Sequence, residues 1–421
     1  MKVTYLTWGE TPRSYGVFSS QVLGQFIQNS KIIDNADCEF VSAVPIIHSG
    51  LIREKFSYRN ELRSVKSKLN NSEIEFTCLP IFTTQNFVNS TKTTFGKLHG
   101  GAHKRLANHF FKRMPEIVHC RSYHATYAAI KVREEYDFNY KVIFDARGYW
   151  PFEVSLKKNQ NLDSSDLAYL KGIEKFCLNN SDQIIGVSDT MSEYFKSLAK
   201  TPVETVYLSA DTSVLGSLER NLKLNEKKKI KFCYLGALSP NTWHRPKELA
   251  DLYNRLRELV PNCSLMIITT SKIDDFSGYF SHCGDGEVTY HSSSDILELK
   301  SLLKKCDIGL MSYFIPKDYI QKILADSVMA VKTAEYLVAG MPMIVNQYCG
   351  GARVLLEKYK LGLSYDPENL ETINSDDIEK LLTIDLNNLQ YKARKCFDIE
   401  LNSYKYVSIY KKLSNKLVDY K

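Results

Sequence analysis

The chain has 421 residues, 44% of them hydrophobic and 24% charged, with a formal net charge of +7 at pH 7. This composition is typical of an ordinary globular protein with two or three domains. No apolar run reaches the roughly 18 residues of a spanning helix, and the N-terminus turns polar too early for a signal peptide. The mild positive charge suits phosphorylated ligands or an anionic membrane, and no motif argues for nucleic acid.

Short β-branched runs alternate with helical stretches through the first half of the chain. The predicted strands are Val3–Thr7, Phe40–Pro45, Ile74–Leu79, Ile117–Cys120, Lys141–Asp145, Gln183–Val187 and Thr205–Leu208. The predicted helices include Ser20–Ser30, Thr126–Glu135, Ser165–Leu178 and Met191–Leu198. The ten cysteines are scattered without a CxxC pair, which favours reduced thiols in the cytosol.

A polar, lysine-rich segment at 222–229 precedes a second series of the same kind. Its predicted strands are Lys231–Leu235, Leu265–Thr269, Val288–Tyr290, Asp307–Met311 and Met343–Val345, and its predicted helices include Pro246–Leu259, Ser293–Lys305 and Val331–Ala339. This alternation predicts an α/β fold of two doubly wound, Rossmann-like domains, 1–218 and 226–399. Ligands of such sheets bind at the carboxyl ends of strands, so we expect substrates in a cleft between facing domains.

The stretch AVKTAEYLVAGMPMIVN, residues 330–346, combines charge with a hydrophobic helix. Helical spacing places Lys332 and Glu335 on one face, in the first turns, where backbone N–H groups favour an anion. A carboxylate beside a phosphate needs hydrogen-bond donors, and vicinal ribose hydroxyls supply two. Gly340 and Pro342 end the helix. An ordinary ion pair on a solvated helix is the alternative interpretation.

This segment resembles the donor-site segment of glycosyltransferase family 4, whose members have the GT-B fold: two Rossmann-like domains facing across a cleft. The resemblance implies that Glu335 holds the donor ribose and that Lys332 contacts the diphosphate. Many family members carry a second glutamate eight residues earlier, facing the transferred sugar. Ser327 occupies that position here, which leaves open what holds the hexose.

Other stretches agree with the family in order and spacing. VFSSQVLGQF after Gly16 resembles the first glycine-bearing loop under the sugar, although a simple tight turn explains this glycine equally well. FCYLGALSPNTWHRPKEL resembles the first loop of the donor domain, where Gly236 would let the diphosphate approach and Arg245 or Lys247 would supply positive charge. GGARVLLEKYKLGLSYDP resembles the segment after the donor helix, which implies that Gly350 and Gly351 lie near the nucleotide.

The stretch VIFDARGYWPFE, residues 142–153, puts charges and aromatic rings into one loop after a predicted strand. Rings stack on the faces of sugars and carboxylates accept hydrogen bonds from their hydroxyls. We therefore predict that Tyr149, Trp150 and Glu153 bind the acceptor. Asp145 and Arg147, which resemble part of a variant motif in the family, would face the sugar or organise this loop. An internal Arg147–Glu153 salt bridge is compatible with either role.

Three further features are ambiguous. His124, after another predicted strand, either lines the acceptor site or is a structural residue. The basic segment 97–115, with Phe110 and Phe111 interleaved, either contacts an anionic membrane or is a solvated basic face. The resemblance to GT-B proteins implies that a last helix, about 400–421, packs back on the first domain.

The sequence thus predicts a glycosyltransferase that moves a hexose-type sugar from a nucleoside diphosphate sugar to a sugar or lipid-linked sugar acceptor. The resemblance implies retention of configuration. We predict no metal and no cofactor beyond the donor substrate, with Asp145, Arg147 and Lys332 as the catalytic residues. The expected setting is surface polysaccharide or glycolipid synthesis in the cytoplasm, at the inner face of the membrane. The alternatives are a sugar-nucleotide 2-epimerase of the same fold and a non-catalytic homologue that binds sugar nucleotides.

Overall fold

The computed structural model describes residues 1–14, 16–35, 37–45, 55–82, 95–96, 99–157, 164–218, 224–239, 243–293 and 295–418. The chain divides into two compact units. Unit 1 comprises Met1–Val187, Met191–Tyr207 and Glu400–Lys421, and unit 2 comprises Ser188–Thr190 and Leu208–Ile399. Each unit is built around one parallel sheet, as the alternation of strands and helices predicts.

Unit 1 contains a seven-stranded sheet in the order β3-β2-β1-β4-β5-β6-β7, in which every neighbouring pair is parallel. Its strands are β1 (Lys2–Trp8), β2 (Asp37–Pro45), β3 (Glu75–Ile81), β4 (Ile117–Arg121), β5 (Lys141–Asp145), β6 (Gln183–Gly186) and β7 (Val203–Thr205). The strand order changes direction between β1 and β4, which makes the carboxyl ends of these strands a topological switch point.

The helices of unit 1 connect these strands. A helical turn, Gly16–Phe18, and a π-helical segment, Ser19–Gly24, lead into α1. The helices are α1 (Gln25–Ile32), α2 (Lys55–Asn70), α3 (Ala102–Arg113), α4 (Ser122–Glu135), α5 (Trp150–Lys157), α6 (Ser165–Asn180) and α7 (Asp189–Leu198). The last helix of the chain, Ile399–Val418, packs on the same unit.

Both faces of the unit 1 sheet are covered, because successive side chains of a strand point to opposite faces. Tyr5 of β1 belongs to a core that includes Phe26 of α1 and Tyr410 of the last helix. Leu6, the next residue, belongs to a second core that includes Phe110 of α3. This double burial explains why the strands read as nearly continuous hydrophobic runs.

Unit 2 contains a six-stranded parallel sheet in the order β10-β9-β8-β11-β12-β13. Its strands are β8 (Ile230–Leu235), β9 (Cys263–Ile268), β10 (Val288–His291), β11 (Ile308–Met311), β12 (Met343–Asn346) and β13 (Gly362–Tyr365). Its helices are α8 (Pro246–Leu259), α9 (Ile296–Leu303), α10 (Tyr319–Ser327), α11 (Val331–Val338), α12 (Gly350–Tyr359), α13 (Ser375–Leu382) and α14 (Leu386–Phe397). The last helix of the chain follows as α15 (Ile399–Val418).

Short 3₁₀ turns complete the described structure at Leu215–Ser217, Leu224–Glu226, Ile273–Asp275, Ser277–Phe280 and Leu370–Thr372. The predicted α/β class with two doubly wound sheets is confirmed. Several details differ from the prediction. β7 begins two residues and ends three residues earlier than predicted, and β13 was not predicted. The predicted helix Ser20–Ser30 is a π-helical segment, Ser19–Gly24, followed by α1. None of the helices within the described ranges has the length and apolar character that a membrane span requires.

Candidate functional site

The strand order of unit 2 also changes direction, between β8 and β11, so the carboxyl ends of these strands form its switch point. The helix α11 follows β11 after α10 and begins at Val331, with Ala330 extended before it and no side-chain cap. Its first N–H groups therefore lack a capping side chain. Gly340, at φ +73°, ends the helix as predicted.

Lys332 extends from α11 toward the loop that follows β8. Its side chain is buried, with only 8% of the residue exposed. The Nζ atom lies 3.3 Å from the Tyr234 hydroxyl and 4.3 Å from the centre of the Tyr234 ring. Gly236, at φ +119°, follows on the same loop, and a Cβ atom there would lie 3.0 Å from Nζ. The glycine thus leaves space for an ammonium group directly against the backbone.

The charge on Lys332 has no carboxylate within ion-pair distance among the described residues. Burial lowers the pKa of Lys332 to about 7, although Cys349, Glu335 and Cys233 partly oppose this effect. A buried ammonium without a counter-ion is unfavourable, and groups with strongly shifted pKa values cluster at functional sites. The arrangement therefore favours an anionic ligand at this position.

Glu335 lies one turn further along α11 and is half-buried. Burial raises the pKa of its carboxyl to about 7, and Lys332 lowers it. No donor among the described residues bonds to the carboxylate oxygens. Glu335 and Lys332 do not form the surface ion pair that the alternative interpretation of the sequence requires. Two unused acceptor oxygens beside a buried cation can receive the hydroxyl groups of a ligand that also carries an anion.

Sequence reasoning missed two residues after β8 and β11: His244, and Ser312, whose carbonyl contacts the His244 ring. His244 Nδ1 bonds to the Ser312 carbonyl, which can only accept, so Nδ1 carries the proton. Burial, and secondarily Lys332, hold the pKa of His244 well below its ordinary value, so the ring is neutral. Ser312 is fully buried and its Oγ has no hydrogen-bond partner within the described ranges. The sequence signal for Ser312 was its place immediately after a predicted strand.

The other predicted donor residues lie around the same edge of unit 2. The Arg245 guanidinium lies 5.5 Å from the centre of the Phe314 ring, and its buried Nε lacks a partner among the residues described. Ser327 is buried, and its hydroxyl donates to the Leu324 carbonyl at 2.8 Å within α10. Its proton is therefore already engaged in the helix.

The three remaining glycines have different environments. A Cβ at Gly350 would lie 2.6 Å from the Asp326 backbone, and one at Gly351 would lie 2.9 Å from the Val328 carbonyl oxygen. Both glycines thus let α12 pack closely on the connection between α10 and α11. Gly16 belongs to unit 1, is exposed at φ +64° and has open space around it.

In unit 1, Asp145 ends β5 and is completely buried. Its Oδ2 atom accepts from His119 Nε2 at 3.1 Å and from Arg147 Nη2 at 2.5 Å. His119 Nδ1 lies 2.6 Å from the Tyr410 hydroxyl of α15. Burial alone would raise the pKa of Asp145, but Arg147 and His119 more than offset it and hold the pKa below the ordinary value. This network anchors the start of the loop after β5 to α15.

The predicted acceptor residues lie at the end of the loop after β5 and in the first turn of α5, and they point inward. Tyr149 and Trp150 are 2% and 6% exposed, and His124 lies beneath them at 4.9 Å from the Trp150 ring. Glu153 is half-buried, and burial raises its pKa. Arg147 pairs with Asp145, and no Arg147–Glu153 ion pair occurs in the part of the chain described.

His124 is the end of a row of imidazoles. His99 Nε2 lies 3.0 Å from His124 Nδ1, and His99 Nδ1 lies 3.1 Å from His103 Nε2. Burial lowers the pKa of His103 to about 4 and that of His99 well below its ordinary value. Within the described ranges, no group of three or more histidine, cysteine, aspartate or glutamate side chains is arranged to hold a metal ion.

The basic segment 97–115 is described except for residues 97 and 98. Phe110 is buried, whereas Phe111 and Met114 are 54% and 58% exposed. Arg113, near the end of α3, forms an ion pair with Asp37. One face of this segment is thus part of the core, and the other offers two apolar side chains to solvent.

Two comparisons place this architecture among known proteins. No curated protein matches the chain in sequence. Residues 85–214 match the sequence model of Glycosyltransferase Family 4.

Solved structures similar to the chain share its fold at low sequence identity. HepE of Anabaena in complex with UDP has a TM-score of 0.65 and 14% identity, over 98% of this chain and 100% of that one. Sucrose-phosphate synthase of Thermosynechococcus elongatus has a TM-score of 0.64 and 12% identity, over 98% of each chain. UDP-GlcNAc 2-epimerase of Neisseria meningitidis, bound to UDP-GlcNAc, has a TM-score of 0.52 and 12% identity, over 98% of this chain and 100% of that one. The fold is GT-B.

Proposed function

We propose that the protein is a glycosyltransferase that binds a nucleoside diphosphate sugar at the carboxyl edge of the unit 2 sheet. The observation that carries the proposal is the buried, unpaired ammonium of Lys332 against Gly236. An anion is the ligand that this arrangement favours, and a switch point is where open α/β sheets bind nucleotides. The match of residues 85–214 to the sequence model of Glycosyltransferase Family 4 supports the same activity.

In this proposal, the donor diphosphate rests between Lys332, the Gly236 loop and the start of α11. Negative charge builds on the diphosphate as the glycosidic bond breaks. A preorganised cation and a helix N-terminus stabilise this charge more in the transition state than in the ground state, and so lower the barrier. Arg245, whose Nε atom lacks a partner among the described residues, would add a second cation. These groups can neutralise the leaving group without a metal ion.

Glu335 would accept hydrogen bonds from the two vicinal hydroxyls of the donor ribose. Its two oxygens have no donor among the described residues, and the carboxylate lies one helical turn beyond Lys332. Ser327 is a weak candidate for holding the hexose, because its hydroxyl donates to Leu324. The neutral imidazole of His244 is a better candidate to contact the donor, since it lies close enough to Lys332 to interact with its charge. The Ser312 hydroxyl, which has no partner among the described residues, is a second candidate.

Unit 1 would bind the acceptor through the loop after β5, with Asp145 and Arg147 holding the loop and Tyr149, Trp150 and Glu153 contacting sugar once it opens. We further propose that the sugar is of the hexose type and is transferred with retention of configuration. The acceptor would be a sugar, free or lipid-linked, of a surface polysaccharide or glycolipid. The exposed Phe111 supports peripheral contact with the cytoplasmic face of a membrane.

Isothermal titration with UDP, GDP and ADP in the presence of EDTA tests the donor site. We expect one of them to bind with 1:1 stoichiometry, and the Lys332→Met variant to bind at least tenfold more weakly. Lys322→Met, which removes an exposed lysine of α10, is the matched control and should bind as the wild type does. If none of the three nucleotides binds the wild-type protein, the proposal is wrong.

The nucleotide that binds then identifies which nucleotide sugars to test for turnover. Incubation without an acceptor distinguishes the alternatives, because an epimerase would convert UDP-GlcNAc alone, whereas a transferase needs an acceptor. Binding without turnover on any acceptor would favour the non-catalytic homologue.

A further inference from the structure

A buried glutamate that the proposed mechanism does not use lies beneath the loop after β5. Glu174, on α6, is 2% exposed. Its Oε1 atom lies 3.0 Å from the Tyr123 hydroxyl and its Oε2 atom 3.1 Å from the Tyr194 hydroxyl. The same Tyr123 hydroxyl lies 3.1 Å from the carbonyl oxygen of Gly148, in the loop. Tyr123 thus connects the glutamate to the backbone of the loop.

The acceptor to which the Tyr123 hydroxyl donates depends on whether Glu174 is protonated. A tyrosine hydroxyl has one proton to donate, and here it has two acceptors, the Gly148 carbonyl and the carboxyl of Glu174. When Glu174 is ionised, its oxygens only accept, and the charged acceptor takes the Tyr123 proton because such bonds are stronger. When Glu174 is protonated, it donates to the Tyr123 oxygen, and Tyr123 donates to Gly148.

We propose that Glu174 is a positioning residue for the loop after β5: its protonated form fastens the Gly148 carbonyl through Tyr123, and its ionised form releases it. No other donor among the described residues contacts this carbonyl. Release would free Tyr149 and Trp150, which follow directly and are buried. That these residues bind an acceptor rests on the proposed function, but the switch itself does not.

The groups around Glu174 are consistent with a proton equilibrium near neutral pH. Burial raises the pKa of Glu174 to about 7, and the hydroxyls of Tyr123 and Tyr194 and the charge of Lys171 lower it. Lys171 lies on the same helix, Tyr123 on α4 and Tyr194 on α7. Burial raises the pKa of the Tyr123 hydroxyl well above its ordinary value, and the charge of Glu153, on α5, adds to this effect. No cation forms an ion pair with Glu174 in the part of the chain described, so the carboxylate is stabilised by the two tyrosine hydroxyls and, less strongly, by the charge of Lys171.

Trp150 reports on the loop, because its ring lies 5.4 Å from the Tyr123 ring. With 5-fluorotryptophan incorporated into the full-length protein, ¹⁹F NMR resolves one resonance for each of the three tryptophans. The Trp150→Phe variant assigns the relevant one. We expect the Trp150 resonance of the wild type to move between pH 5.5 and 8.5 with a midpoint near 7. Neither a purely structural glutamate nor an always ionised one would give this titration.

Glu174→Gln decides the cause of the titration. A glutamine amide donates to the Tyr123 oxygen as the protonated acid does, so the resonance should stay at its low-pH position throughout. Tyr123→Phe removes the donor to Gly148 and should hold the resonance near its high-pH position, and this variant keeps the test available if Glu174→Gln does not fold. Glu193→Gln, at an exposed glutamate of α7, is the matched control and should titrate as the wild type does.

Two outcomes would overturn the inference: a wild-type resonance that does not titrate, or a titration that persists in Glu174→Gln. Persistence would assign the effect to another group near Trp150, such as His124 or Glu153. Neither outcome involves nucleotide binding, so the inference and the proposed donor site fail independently.

Discussion

Lys332 Nζ lies 3.0 Å from the point that a Cβ atom would occupy at Gly236. Lys332 lies at the start of α11 and Gly236 in the loop after β8, and the two residues meet at the switch point of the unit 2 sheet. Because glycine has no Cβ atom and tolerates this backbone conformation, the buried ammonium can lie directly against the loop.

Gly236→Ala tests this contact directly. The new methyl group would press on Lys332 Nζ and Cε, at 3.0 and 3.1 Å, and the residue would keep a strained φ of +119°. We expect the affinity for the cognate nucleoside diphosphate to fall by about tenfold or more, equivalent to about 1.4 kcal/mol, as measured by calorimetry. Gly278→Ala, at an exposed unit 2 glycine with open space around it, is the control and should leave the affinity unchanged.

Lys332→Met should separate binding from stability. The substitution removes a buried charge, so the ligand-free variant should unfold at a higher temperature than the wild type at pH 6.5 while losing nucleotide affinity. A gain of about 1 kcal/mol corresponds to roughly 2–4 °C for a domain of this size. A variant that is less stable than the wild type would show that the ammonium has a counter-ion.

The pH dependence of that gain has a defined sign. The pKa of Lys332 is about 7 in the folded protein and 10.5 as the ordinary value. Between these values the unfolded chain binds more protons, so the stability of the wild type rises with pH through this range. The difference in unfolding free energy between variant and wild type should therefore be largest at pH 7 or below and should shrink toward pH 10.5.

Nucleotide affinity should fall as pH rises above 7. Free Lys332 is then increasingly neutral, whereas a bound diphosphate stabilises the ammonium, so binding takes up a proton. We expect the affinity to decrease by close to tenfold per pH unit between about 7.5 and 9. Calorimetry in two buffers of different ionisation enthalpy measures the proton uptake. Equal affinities at pH 7.5 and 9 would contradict this assignment, and Lys332→Met should lose the uptake.

Glu335→Gln tests the ribose contact by a double-mutant cycle with the 2′-deoxy form of the bound nucleotide. If Glu335 accepts from the 2′-hydroxyl, the substitution should weaken binding of the ribonucleotide by about 1.5–3 kcal/mol, as expected for a hydrogen bond to a charged group. The same substitution should weaken binding of the 2′-deoxy form much less. Equal losses for both nucleotides would place Glu335 away from that hydroxyl. Glu357→Gln, at an exposed glutamate of α12, is the control.

Asp145→Asn should lower the stability of the folded protein. The substitution leaves the Arg147 guanidinium beside a neutral amide in a buried network, which costs about 3–5 kcal/mol when an ion pair of this kind loses one partner. We expect a lower unfolding temperature at pH 7. Because Asp145 has a lowered pKa, its contribution is present at neutral pH and is lost as pH falls below the ordinary carboxyl range. Asp137→Asn, at an exposed turn, is the control.

The sequence predicted those parts of the structure that local patterns determine. The strand Lys141–Asp145 and the helix Pro246–Leu259 were predicted with the bounds observed, because one is a buried apolar run and the other has proline in its first turn. β13, four residues without a β-branched side chain, gave no such signal. Lys332 and Glu335 were selected as candidate site residues because both fall within one short motif.

Contacts between residues that are far apart in the sequence could not be predicted from local patterns. The burial of Asp145 depends on His119 and on Tyr410 of α15, which lies far along the chain. Glu174 appeared as one charge among many on an amphipathic helix, and only the fold brings it to Tyr123. The tautomer of His244 likewise depends on the Ser312 carbonyl, which is distant in the sequence. Such roles follow from packing, which no spacing rule encodes.

The central claim is that the buried ammonium of Lys332 receives a nucleoside diphosphate. Calorimetric titration of UDP, GDP and ADP into the wild-type protein, Lys332→Met and Lys322→Met tests it most directly. The account predicts 1:1 binding of one nucleotide to the wild type and to Lys322→Met, and a loss of at least tenfold in Lys332→Met. Equal affinity of the wild type and Lys332→Met for every nucleotide, or no binding at all, would contradict it.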